Sequence, residues 1–369
     1  LLDADKRFEP VVVVCPYALY GREFMLNVME KAYEVFKKDG YNVVKSFDTT
    51  TGEWLDVKKE LQPDVVCFTS PWKLTRQEYL LDNFLDILTC YVPYGYETSH
   101  LHKEYYNGEM QNFVWRFFLE NNFHKDLSER YSGNKGNNVV VTGYPGMDRF
   151  HIGSNKPKDV WKIKDKRMKR VIWAPHHSIP GMGSSLDYST FIEYHDAMLN
   201  MAGQFKDEIQ FAFKPHPILK EKLSNVEVWG REKADEYFEK WENLNNGQLE
   251  EGDYMDLFFT SDAIIHDCGS FVAEYLYTGK PVLYLMRDQH IYERFNEVGQ
   301  MALKTFYQGN NVENISWFLQ NVVLGENDTM KLKRDELFNN VIKAPGPHTA
   351  SENIYRHLVS EFFTADNNG

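Results

Sequence analysis

At 369 residues the chain exceeds the size at which one hydrophobic core stops growing, so two domains are expected, and 43% apolar with 15% aromatic residues is ample for packed cores. A formal net charge of -13 excludes a general nucleic-acid binder, which needs clustered positive charge to displace counterions, while local basic groups stay available to an anionic substrate. No run approaches the about 20 apolar residues that cross a bilayer, and no signal peptide is visible.

In chain order, "VVVVCP" (Val11 to Pro16) reads as a buried strand, followed by a helix-periodic segment from Glu23 to Lys38 that stops at Gly40. "NVVKSF", "DVVCFTS" (Asp64 to Ser70), "CYVPYG" (Cys90 to Gly95) and "NVVVTGYP" (Asn138 to Pro145) repeat the strand signal, with helical stretches between them. A polar, lysine-rich stretch from Ser154 to Arg170 reads as a connector, and the alternation then restarts with "RVIWAP", "IQFAFKP", "DAIIHD" and "PVLYLM". Helices are expected at Tyr188 to Gln204, Asp253 to Thr260, Ser270 to Thr278 and His348 to Phe363. Apolar runs alternating with helices predict an α/β fold of two doubly wound, Rossmann-like domains with parallel sheets covered on both faces. The boundaries fall at 1–155, 165–345 and a C-terminal helix, 346–369, packing back toward the first domain. Ligands are expected beyond the C-terminal ends of the strands, in a cleft that the two domains face.

Cys15, Cys67, Cys90 and Cys268 form no CxxC pair, and three lie in apolar runs, so they read as small core residues in a reducing, cytoplasmic setting rather than as metal ligands. The chain opens on "LLDADKRF" without methionine, which leaves room for an earlier membrane-binding segment or domain. The motifs GxGxxG, GxxxxGK[ST] and GxSxG are all absent, so the usual dinucleotide fingerprint, the P-loop and the serine-hydrolase elbow lose their support.

The chemistry concentrates at strand ends. After "AIIHD" the strand ends at Asp267, Cys268-Gly269 makes a turn, and a helix starts near Ser270, where free N-H groups and the hydroxyl suit a phosphate; a plain N-cap is the alternative. Glu274 lies one turn on, on the same face, and can accept a ribose diol or be simply a solvated helical glutamate. "FKPHP" places Lys214 and His216 as donors to phosphate oxygens, with prolines restricting the backbone, or leaves His216 structural. "VIWAPHHS" offers His176 and His177; in an extended chain they would point to opposite sides, a poor metal chelate. His100-x-His102 lacks a third ligand, and no metal or other cofactor is called for.

Taken together and in order, "VVVTGYPGMDRF", "VIWAPHHS", "FKPHP", "SDAIIHDCGSFVAEYLYTGKPVLYL" and "PGPHTASENIYRHL" resemble the CDP-glycerol glycerophosphotransferase family, the teichoic-acid and capsule polymerases of bacterial cell envelopes, with a GT-B glycosyltransferase fold. They are similar, in turn, to that family's GYPRxD segment, YAPTxR strand, HP motif, D-x-x-I-T-D-Y-S-S segment and final G-x-A-S-x-R-I helix. The resemblance implies an N-terminal acceptor domain and a C-terminal nucleotide-donor domain. His216 with Asp267, Gly269, Ser270 and Phe271 would hold the donor pyrophosphate, Lys214, His176 and His177 would neighbour it, and Glu274 would hold the ribose.

The implied activity is transfer of glycerol phosphate or ribitol phosphate from a CDP-linked donor to a hydroxyl of a glycan or polyol-phosphate polymer. The implied location is the cytoplasm, at the inner face of the membrane, without nucleic acid as partner. The sequence departs from the family where Cys268-Gly269 replaces tyrosine-serine, where the arginine after the YAPT-like strand is missing, and where Tyr94 precedes Gly95 in place of the His-Gly pair. A tyrosine with a reference pKa of about 10 is a poor base at neutral pH, so Glu97, His100 or His102 are the substitutes. The alternatives are a glycosyltransferase of the same fold using a nucleotide sugar, and a non-catalytic nucleotide-binding module of a capsule assembly protein.

Overall fold

The computed structural model describes residues 1–18, 21–150, 156–179 and 186–363. They pack as two units. The first comprises Leu1–Tyr94, Lys103–Pro145 and the chain from Ala344 onward; the second comprises Gly95–His102 and Gly146–Lys343.

Unit one holds six short strands, β1 (Val12–Val14), β2 (Val43–Lys45), β3 (Val65–Phe68), β4 (Leu88–Tyr91), β5 (Arg116–Leu119) and β6 (Val139–Val141). Every pairing is parallel, but the strands form two sheets: β1 with β2, and β3-β4-β5-β6 in sequence order. Helix α1 (Arg22–Lys38) buries Met25 and Met29, four residues apart and so on one face, against Val14 and Phe47. It stops before Gly40, which sits at φ 87°, a conformation costly for any residue with a Cβ. Helix α2 (Glu109–Phe113) precedes β5, and α3 (Asn122–Tyr131) is started by Asn121, whose side chain accepts from the His124 N–H. The C-terminal helix, Ala350–Phe363, belongs to this unit, with Leu358 buried beside Cys90 and Phe118 and with His357 and Glu361 accepting from Arg116. Gly143 lets the start of this helix and the chain leading into it approach: a Cβ there would lie 2.5 Å from that of Ala344 and 3.0 Å from that of Ala350.

Unit two is one six-stranded parallel sheet in the order β12-β11-β10-β7-β8-β9. Its strands are β7 (Lys169–Ala174), β8 (Ile209–Phe213), β9 (Gly247–Leu249), β10 (Ala263–His266), β11 (Val282–Leu285) and β12 (Tyr307–Gly309). Strands β8, β10 and β11 are buried at every position, because helices cover both faces; that is why they read as unbroken apolar runs. The main core lies on one face, where Trp173 and Phe213 meet α4 (Phe191–Gln204) and α5 (Arg231–Asn243). Ser154 and Asn155, the start of the expected connector, lie outside the described residues; further on, Trp161 is buried and its indole donates to Thr260 Oγ1 at 2.9 Å. Among the described residues no helix is long and apolar enough to cross a membrane.

Candidate functional site

In unit two the strand order reverses between β7 and β10: β8 and β9 follow on one side, β11 and β12 on the other. Such switch points are where open α/β sheets bind ligands, beyond the C-terminal strand ends. Here those ends deliver Pro175-His176-His177 after β7, Lys214-Pro215-His216 after β8 and Asp267 to Ser270 after β10.

The three histidines are brought together. Ring centroids lie 4.1 Å apart for His176 and His177, 4.2 Å for His177 and His216, and 5.5 Å for His176 and His216. The two adjacent histidines do not point to opposite sides, because the chain leaves the extended conformation after Pro175 and bends at His177.

Their hydrogen bonds fix which nitrogen carries the proton. His176 Nδ1 accepts from the Ser178 N–H at 3.2 Å and lies 3.0 Å from Ser178 Oγ. That oxygen already accepts from the N–H groups of Tyr188 and Ser189, so its own proton goes to His176. His177 Nδ1 lies 2.9 Å from Lys222 Nζ, a donor, and His216 Nδ1 accepts from the Ile218 N–H at 3.4 Å. All three rings therefore present Nε2–H as donor.

Burial depresses all three imidazole pKa values, with Lys222 adding to it in each and the neighbouring rings adding to it for His176 and His216: His176 falls well below the usual value, His177 to about 4 and His216 to about 3. Burial lowers Lys214 and Lys222 as well. The result is a patch of neutral N–H donors backed by two lysines, a chemistry made for phosphate oxygens. Among the described residues no three of His, Cys, Asp and Glu are grouped as a metal ion needs.

Asp267 lies beneath this patch. Its carboxylate accepts from the His176 N–H at 2.5 Å, the Thr190 N–H at 2.6 Å and Thr190 Oγ1 at 2.8 Å, tying the turn after β7 to the start of α4. It is a positioning residue. Ser270 makes no capping hydrogen bond with its side chain, and the helix it opens, α6 (Phe271–Glu274), continues only as a 3-10 turn over Tyr275–Thr278. A Cβ at Gly269 would make a tight contact with the Tyr188 ring, at 3.3 Å. Phe271 packs on Tyr254 and Phe258. Glu274 is buried and not a solvated helical glutamate: Oε2 accepts from Tyr254 Oη at 2.8 Å and Oε1 from the Tyr96 N–H at 3.4 Å.

The segment Gly95–His102, which the sequence assigns to the N-terminal domain, packs with unit two. Thr98 Oγ1 donates to the Gly269 carbonyl at 3.0 Å, Ser99 bridges to Phe295, and the Glu97 carbonyl accepts from Asn296 at 3.1 Å. Glu97 Oε1 accepts from the Ser99 N–H at 2.6 Å. His100 Nδ1 donates to the Arg294 carbonyl at 3.0 Å, which leaves Nε2 as a lone pair, the reverse of the other three rings. Tyr188 Oη donates to the same carbonyl at 3.0 Å, and its ring packs edge-on to His176 at 5.2 Å, so His100 and the histidine patch share a neighbour. Tyr94 stays with unit one, largely exposed, its hydroxyl bound to the Trp72 indole at 3.2 Å. The sequence reading missed Lys222, Tyr188, Thr190 and Ser178; only Lys222, shortly past "FKPHP", carried a usable signal as a cation on the following helix.

Burial of these imidazoles ties stability to pH. His266, inside β10, is held at about 3 by burial, and the buried His176 also stays neutral near pH 7. Below about pH 6.5 the unfolded chain binds protons that the folded one refuses, so their contribution is whole above that pH and is lost on acidification, about 2 kcal/mol for His266 by pH 5. Asp267 acts in the opposite sense, because burial raises its carboxyl to about 6 and the folded chain takes up that proton as pH falls through 6. It returns about 1 kcal/mol by pH 5. Urea midpoints should fall between pH 7 and pH 5, because the losses from the buried histidines, His177 and His216 included, outweigh the gain from Asp267. An unchanged or higher midpoint at pH 5 would contradict neutral buried histidines.

The family profile of CDP-glycerol:poly(glycerophosphate) glycerophosphotransferases matches residues 97–360, most of the chain and all of this site. The chain belongs to that family. Family membership makes it a transferase of the teichoic-acid type, with a nucleotide-linked donor and a glycan acceptor. No curated protein matches it in sequence. Among solved structures it is similar to a UDP-N-acetylglucosamine 2-epimerase (16% identity, TM-score 0.59, covering 100% of this chain and 92% of that one). It is also similar to the S. aureus MnaA-UDP co-structure (18%, 0.58, 98% and 90%) and to the wall teichoic acid polymerase TagF (14%, 0.58, 95% and 88%). At these identities the likeness speaks for the fold, a GT-B-type α/β architecture, as the sequence motifs imply.

Proposed function

We propose that this family member transfers glycerol phosphate or ribitol phosphate from a CDP-linked donor to a hydroxyl of a cell-surface glycan or teichoic-acid-type polymer. The observation that carries the proposal is the patch of three neutral imidazole N–H donors with Lys214 and Lys222 at the β7/β10 switch point. The acceptor oxygen attacks the phosphorus bearing the polyol, the bond from that phosphorus to the bridging oxygen breaks, and CMP leaves with the electron pair. His216 and its neighbours stabilise the charge that grows on the phosphate oxygens. His100, whose Nε2 is free to accept, takes the acceptor proton. Nothing in this scheme calls on a metal or another cofactor. On this reading the enzyme acts in the cytoplasm, at the inner face of the membrane.

The product nucleotide separates the readings. Incubation with CDP-glycerol, CDP-ribitol and a panel of nucleotide sugars, each with a polyol or glycan acceptor, is expected to release CMP from a CDP-polyol. Release of a nucleoside diphosphate from a nucleotide sugar, with CDP-polyols untouched, would replace the proposal by a glycosyltransferase. Tight nucleotide binding in calorimetry without turnover of any donor would replace it by a binding module.

A further inference from the structure

The four cysteines divide into two kinds. The sequence reads them all as core residues, and that holds for Cys90 and Cys268, whereas Cys15 and Cys67 are exposed. Cys67 and Cys90 are also neighbours. Strands β3 and β4 pair in parallel with these two residues directly opposite each other, so both side chains leave the sheet on one face. The Cα atoms of such partners lie about 4.7–4.9 Å apart, inside the about 4.4–6.8 Å that a disulfide spans. The two thiols hydrogen-bond to each other.

They differ in access. Strand β3 is the edge of its sheet, and Cys67 lines a cavity of about 1030 Å³ in unit one. Cys90, on the inner strand β4, is fully buried beside Phe118 and Leu358. A small solute that enters the cavity meets Cys67 first, with Cys90 behind it.

Their acidities differ in the same sense. The hydrogen bond from Cys90 stabilises the Cys67 thiolate and holds its pKa below the usual thiol value, while the same contact, together with burial, pushes Cys90 up. Cys67 is thus the nucleophile and Cys90 the resolving thiol. The other two cysteines are not equipped for this. Desolvation by the surrounding protein raises Cys15 to about 11, and Cys268 is buried with its thiol donating to the Ala174 carbonyl at 3.1 Å.

We propose that Cys67 and Cys90 are a peroxide-sensitive pair that closes reversibly into a disulfide between β3 and β4. The Cys67 thiolate attacks one peroxide oxygen and the O–O bond breaks. Cys67 becomes a sulfenic acid, and the hydroxide that leaves takes up the thiol proton as water. The Cys90 sulfur then attacks the Cys67 sulfur, the S–O bond breaks, and a second water leaves with the Cys90 proton. Two thiols lose two electrons in all, and the peroxide gains them. A Cα spacing short of the common 5.5–6 Å makes such a bridge easy to reduce, which suits a switch rather than a structural link. Neither sulfur belongs to the site in unit two, so the pair stands whether or not the transfer reading does.

The reduced full chain, treated with stoichiometric hydrogen peroxide at neutral pH and then denatured for thiol titration and peptide mapping, tests it. Free thiols should fall from four to two and the mass by two hydrogens. One cross-linked peptide should join Cys67 to Cys90, and dithiothreitol should reverse the whole change. Cys67→Ser should slow thiol loss about tenfold, the advantage of the more acidic and accessible thiol. Cys90→Ala should leave Cys67 as a sulfenic acid that dimedone traps; if that variant does not fold, the wild-type peptide map still decides. Four thiols retained, a bridge from Cys67 to Cys15, a bridge between two chains, or sulfinic acid at Cys67 with Cys90 still a thiol overturns the proposal.

Discussion

His100→Ala is expected to lower kcat by about 10²–10⁴-fold while nucleotide affinity stays within about twofold, the pattern of a lost general base. The expectation follows from tautomers. His176, His177 and His216 each have Nδ1 occupied as an acceptor and so present a proton, whereas His100 gives its Nδ1 proton to the Arg294 carbonyl and keeps Nε2 open. Among the candidates from "VPYGYETSH", Glu97 spends one carboxylate oxygen on the Ser99 N–H, and Tyr94 packs with the other unit. Added imidazole should restore part of the lost rate, because a small base can enter the space left by the ring. Turnover within about threefold of wild type would remove His100 from the mechanism.

His216→Ala should cost about 10²–10³-fold in kcat, comparable to deleting one donor from a preorganised anion site. The ring touches His177 at 4.2 Å, and its backbone N–H is held on the Pro175 carbonyl at 3.2 Å, so its Nε2–H is fixed before any substrate arrives. Burial holds its pKa at about 3, so it acts as a neutral donor at every pH where the protein works. No inflection from His216 should then appear in kcat between pH 6 and 9. A raised KM with unchanged kcat would mean that the ring serves ground-state binding only.

Much of this was legible in the sequence because both devices are local. Buried parallel strands announce themselves as apolar runs, and β7, β8, β10 and β11 appear within a residue or two of their expected ends. Of the strands that were missed, β9 (Gly-Gln-Leu) and β12 (Tyr-Gln-Gly) are short edge strands with little apolar signal, whereas β5 (Arg-Phe-Phe-Leu) is a buried inner strand whose apolar run is only three residues long. Likewise "FKPHP" and "HDCGS" mark strand ends without further help. That His176 stacks beside His177 depends on a backbone bend and on Asp267 gripping the His176 N–H from 91 residues away, which no local pattern encodes. The capture of Glu274 by Tyr254 and Tyr96 is of the same kind, since a helical glutamate looks alike in sequence whether it is solvated or buried.

The packing of Gly95–His102 into unit two also sets an order of events during synthesis. Thr98 waits 171 residues for Gly269, and His100 waits 194 residues for the Arg294 carbonyl. At the ribosome's usual pace this is a delay of roughly 10–40 s, during which unit two lacks its partners for that segment. Unit one cannot be finished early either, because its helix Ala350–Phe363 follows all of Gly146–Lys343 in sequence. Neither unit can therefore be released by a single cut, and refolding from denaturant should be slow for the chain's size, as contacts this far apart in sequence demand.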